Sequence, residues 1–120
     1  MKKTTLLLII GIMLLFGNLL FATPPDSIKM SFDSTGTIMT ARIFHVTKNP
    51  TLHLIAQVSV TLQGKPIIQQ TIVKQFSNFE QDVIYQIVDA KKGDKISVTG
   101  QCSVMGKKTQ EIIAPGPKIK

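Results

Sequence analysis

The two histidines and the one cysteine of this sequence, His45, His53 and Cys102, are followed three residues later by a thioether, Met105. Imidazole and thiolate in one set suit iron, copper or zinc. No other reaction centre can be assembled from the chain. There is no nucleophile beside a base and no glycine-rich phosphate loop. The few acidic residues sit at turns, so a carboxylate pair for acid–base work is not expected. Each candidate also has a purely structural reading. A histidine at a strand end is commonly solvated or hydrogen-bonded, and a lone cysteine on an apolar face is commonly a small buried hydrophobe.

Positioning these side chains falls to β-strands. Ile96, Val98, Gly100, Cys102 and Val104 alternate with Lys95, Ser97, Thr99, Gln101 and Ser103, the period-2 pattern of a half-buried strand. Gly93-Asp94 precedes this run and Gly106 with Lys107-Lys108 follows it, so turns bound it at both ends. From Thr37 to Val46 the pattern places Met39, Ala41, Ile43 and His45 on one face. From His53 to Leu62 it turns Leu54, Ala56, Val58, Val60 and Leu62 inward, and His53, Ile55, Gln57, Ser59 and Thr61 outward. Ile28–Phe32 is a shorter strand, and Ile67–Gln75 alternates poorly and reads as an edge strand. Gln81–Val88 and Lys108–Ile113 complete the set, before a Pro/Gly/Lys tail expected to fray. Gln63-Gly64-Lys65-Pro66 predicts a hairpin. Seven short strands at spacings of about ten residues, without helical periodicity, predict an all-β, antiparallel, immunoglobulin-like β-sandwich. His45 would then end one strand and His53 begin the next across the Asn49-Pro50 loop. Cys102 would lie at the end of a third.

Residues 1–22 read as a leader. Met1-Lys2-Lys3 is basic, Leu6–Phe16 is almost unbroken apolar sequence, and Leu20-Phe21-Ala22 is a signal-peptidase site ending in a small residue. The rival is an uncleaved N-terminal membrane anchor facing outward. Either way residues 23–120 form one domain, secreted or periplasmic. Without Lys2 and Lys3, the 14 basic residues become 12 against 7 acidic ones. These lysines are dispersed at turns and tails and do not alternate with aromatics, which argues against a nucleic-acid partner. A single cysteine cannot form the internal disulfide on which small exported domains commonly rely. Stability must come from the β core, a metal or a partner.

Several stretches carry a family resemblance. They are His45-Val-Thr-Lys-Asn-Pro-Thr-Leu-His53, Val58 to Gly64-Lys65, Tyr85, Gly93-Asp94-Lys-Ile-Ser-Val and Cys102-Ser-Val-Met-Gly106-Lys. Together, over about Ile28 to Ile113, they resemble the iron-binding domain of the desulfoferrodoxin and superoxide reductase family. The resemblance implies an immunoglobulin-like sandwich holding one ferrous ion on four equatorial histidines and an axial cysteine, and reducing superoxide to peroxide. It assigns His45 and His53 to two of the histidines and Cys102 to the thiolate. Met105 stands where the family's Cys-x-x-His motif has its histidine, and no histidine precedes His45. Two imidazoles of the family's set are therefore missing. The same inventory, with Met105, is that of a blue-copper centre. Those proteins place a histidine between the cysteine and the methionine, and here there is none.

Two functions follow as expectations. One is an exported superoxide-reductase-like domain with iron on His45, His53 and Cys102, served by an electron-donor protein or completed as a homodimer. The other is a non-catalytic immunoglobulin-like binding module without metal.

Overall fold

The computed structural model describes residues 23–118, and the leader reading falls on residues outside these. Seven strands, β1 (Ser27–Phe32), β2 (Ile38–Phe44), β3 (Ile55–Leu62), β4 (Lys65–Thr71), β5 (Glu80–Gln86), β6 (Lys95–Cys102) and β7 (Lys107–Ile113), form two sheets. The smaller has the order β1-β2-β5 and the larger β4-β3-β6-β7, all neighbours antiparallel. This is the immunoglobulin-like sandwich expected from the strand spacing. Among the described residues there is no helix.

The alternation expected of the sequence builds the core. Met39, Ala41 and Ile43 of β2 and Val83 of β5 face Val58 and Val60 of β3 and Ile96 and Val98 of β6, all of them buried. At about 25 cal/mol per Å² of apolar surface removed from water, each of these side chains contributes on the order of 2 kcal/mol. Gly100 of β6 lies opposite Ile43, where an added Cβ would sit 3.0 Å from Ile43 Cδ1. The absence of a side chain there lets the two sheets approach.

Several boundaries differ from the sequence pattern. β3 starts at Ile55 rather than His53, and a register shift lies between Ile55 and Gln57. The bulge puts Leu54 and Ile55 both inside, so Ile55, expected to face out, is fully buried. β4 occupies the edge position expected of it but ends at Thr71, which leaves Gln75 outside the strand. β6 ends at Cys102, and Val104, expected on its apolar face, is exposed. The tail is not frayed up to residue 118. Ala114 and Gly116 are buried, Gly116 packs on Gly36, and the Lys118 amide donates to the Thr35 carbonyl.

Tight turns set the remaining register. Gln63 and Gly64 link β3 to β4 with φ of 50° and 80°, the left-handed pair that a two-residue hairpin of the right twist requires.

Candidate metal centre

One end of the sandwich gathers four segments. They are the lead Thr23–Asp26, the 45–54 loop between β2 and β3, the 72–79 loop between β4 and β5, and the 102–106 turn between β6 and β7. His45 continues the inward parity of Met39, Ala41 and Ile43 one step beyond β2 and is fully buried. Its amide donates to the Phe79 carbonyl at 2.9 Å, so the β2–β5 pairing holds its backbone past the end of the ladder.

The 45–54 loop folds on its own polar groups. The Thr47 hydroxyl accepts from the Asn49 amide, and Asn49 Oδ1 accepts from the amide and hydroxyl of Thr51. The Asn49 carbonyl accepts from the amides of Leu52 and His53. These bonds place His53 edge-on to His45, with ring centroids 4.7 Å apart at 86°.

Cys102 ends β6 with its thiol buried. The Val104 amide donates to Sγ at 3.4 Å, and the Cys102 amide donates to the Gly106 carbonyl, which closes the turn around the sulfur. Ser103 ties this turn to the histidine loop. Its hydroxyl donates to the Leu52 carbonyl and accepts from the Leu54 amide, and its own amide donates to the Leu54 carbonyl.

Gln75, which the sequence pattern assigned to an edge strand, is the organiser of the site. It is 1% exposed and makes four hydrogen bonds. Nε2 donates to the carbonyls of His45 and Ser77, both at 2.8 Å. Oε1 accepts from the Ile55 amide at 3.0 Å and lies 2.7 Å from His45 Nδ1. The amide cannot be flipped, because its nitrogen would then face the Ile55 N–H and its oxygen would face two carbonyls. His45 Nδ1 therefore carries the proton and donates it to Oε1. Its Nε2 lies 2.9 Å from the Thr23 carbonyl oxygen, which His53 Nε2 approaches at 3.2 Å. Metal-binding imidazoles are usually held in the same way through one nitrogen, which donates to a fixed acceptor.

The sequence brought His45, His53, Cys102 and Met105 to notice, and the structure brings the first three together. One donor atom from each of His45, His53 and Cys102 lies within 4.8 Å of the others. Tetrahedral separations between sulfur and nitrogen ligands are about 3.6 Å for bonds of about 2.3 and 2.05 Å. About 1 Å of side-chain movement would close the set on one ion. Met105 lies in the β6–β7 turn and is 42% exposed. Two open clefts meet at Thr23, one against His45 and Phe79, the other against His53 and Lys48.

Nothing in the residue pattern singled out Gln75 or Thr23. Neither follows a motif, and each acts through contacts with residues distant in the chain. In comparisons with known proteins, no family model and no curated protein matches this chain.

Proposed function

We propose that this chain is an exported, mononuclear metal-binding domain of the superoxide-reductase-like kind, holding one ion on His45, His53 and Cys102. The observation that supports it is the fixed orientation of Gln75. A buried glutamine holds Nδ1 of a buried histidine, one donor atom of which lies within 4.8 Å of those of a second imidazole and a thiol. A ring fixed through one nitrogen is what a metal-binding imidazole needs.

Iron is the ion that the family resemblance brings with it. That centre asks for four imidazoles and a thiolate, and the whole sequence holds two histidines. A five-ligand iron centre is not complete in one chain, so no superoxide step is derived through it. A homodimer would have to bring further imidazoles. When bound, an ion on a cysteine thiolate supplies one-electron chemistry, and the protein's part is to orient both rings and shield the sulfur. Val46, Leu52, Phe79 and Val104 are exposed apolar side chains around this end, a face on which an electron-donor protein could dock.

Metal analysis of the purified chain after separate exposure to ferrous, cuprous and zinc ions tests the reading. One ion per chain in the wild type, lost in Cys102→Ser, is the expected result. If the wild type takes up no ion under reducing conditions, the reading fails and the immunoglobulin-like binding module without metal replaces it.

A further inference from the structure

We propose that the main-chain carbonyl of Thr23 is the fourth donor of this site, and that the resulting pocket of two imidazoles, one thiolate and one carbonyl is built for copper rather than for ferrous iron. The proposal rests on the reading above, that His45, His53 and Cys102 hold one ion.

The geometry begins with His45. Its Nε2 lies 2.9 Å from the Thr23 carbonyl oxygen. Gln75 holds the other ring nitrogen, Nδ1, so Nε2 is the atom that faces this carbonyl oxygen. His53 Nε2 lies 3.2 Å from the same oxygen. Donors bonded to one metal at about 2.05 Å are separated by about 2.9 Å at a right angle and about 3.3 Å at the tetrahedral angle. The two observed separations are thus edges of a coordination polyhedron, with the carbonyl at the shared corner.

That oxygen is also held in place. The Thr23 hydroxyl donates to the Val46 carbonyl at 3.0 Å. Pro24 and Pro25 stiffen the following backbone, and a residue before proline is confined to extended conformations. Gly106, at the far end of the cysteine turn, has φ of 80° and lies against Pro24, where an added Cβ would be 2.6 Å from Pro24 Cβ. The turn that presents Cys102 therefore also backs the segment that presents the carbonyl.

The donor set decides between metals. Two imidazoles and a thiolate with a weak axial thioether or backbone oxygen are the ligands of copper electron-transfer sites, and a soft thiolate favours the cuprous ion. Met105 need not ligate, because the carbonyl fills the fourth position.

Carbon-detected correlation of each carbonyl with the following nitrogen reads this oxygen directly, since Thr23-Pro24 is the sole Thr-Pro pair in the sequence. The full chain, labelled with carbon-13 and nitrogen-15 and kept in detergent, is titrated with cuprous ion, which is diamagnetic. The expected result is one copper per chain with a shift of the Thr23 carbonyl resonance, both lost in Cys102→Ser. Gly106→Ala, which pushes on Pro24, should weaken copper binding at least tenfold. Stoichiometric copper with the Thr23 resonance unmoved overturns the carbonyl ligand and leaves the three-ligand reading intact. Ferrous ion displacing copper in direct competition overturns the choice of metal. No uptake of any ion removes the proposal and the reading beneath it together.

Discussion

Replacing Gln75 by leucine should be the most damaging single change at this end of the sandwich. The side chains have similar volumes, so little cavity forms, and the cost comes from hydrogen bonds. Leucine leaves the Ile55 amide and His45 Nδ1–H without their acceptor in a buried setting, and removes the donors that serve the carbonyls of His45 and Ser77. A buried donor left without a partner costs about 1–3 kcal/mol, and an under-satisfied carbonyl is better tolerated. The sum is on the order of 3–5 kcal/mol, against a total stability of about 5–15 kcal/mol for a domain. For a domain of this size each 1 kcal/mol moves Tm by about 4–8 °C, so Gln75→Leu should melt at least roughly 12 °C below wild type. Circular dichroism melts in chelator give this number without interference from bound ions. Nitrogen-15 spectra of the histidines add a second readout, with wild-type His45 protonated at Nδ1 and the variant released from that tautomer. A loss under about 4 °C, equivalent to less than about 1 kcal/mol, would refute the four-bond account. So would a wild-type His45 found neutral with its proton on Nε2.

Three further outcomes follow from the same structure. Ser103→Ala removes one donated and one accepted bond between the cysteine turn and the histidine loop, and should cost about 1–2 kcal/mol in urea unfolding while weakening metal uptake. Gly100→Ala puts a methyl group against Ile43 and should cost about 1–3 kcal/mol, with metal stoichiometry unchanged. Tyr85, the one tyrosine, is half-buried and its phenol donates to Gln70 Oε1, and burial pushes its pKa up to about 12. The neutral phenol is favoured in the fold, so this linkage stabilises fully below pH about 10 and is lost as pH rises toward about 12. Spectrophotometric titration should show tyrosinate forming well above the ordinary range in the folded protein and at the ordinary value in denaturant.

The strand count and the pairing into a sandwich were legible because burial on one face forces alternation, and five of the seven segments alternate over most of their length. The same parity placed His45 and Cys102 inside, each two residues beyond a buried position, Ile43 and Gly100. Ile55 was misplaced because a bulge inserts a residue without any glycine or proline to announce it. Gln75 was hidden in a β-branched run that continues the look of β4 after the ladder stops at Thr71. Its role depends on Ile55, His45 and Ser77 converging on one amide, and no local period encodes that. Thr23 was legible only as the residue before two prolines. The tail was expected to fray on composition, but buried Ala114 and Gly116 and the Lys118–Thr35 bond give it a place to pack.

His45 extends a strand of the three-stranded sheet, while Cys102 ends a strand of the four-stranded one. An ion bound to both would therefore be a covalent-like rivet across the two layers, closing the chain from residue 45 to residue 102. A disulfide closing a loop of that length removes about 4 kcal/mol of chain entropy from the unfolded ensemble. The chain's single cysteine cannot make such a link, but shared with two imidazoles it can make an equivalent one. Folding and metal loading would then be coupled, and the chain would reach its full stability only where the ion is supplied.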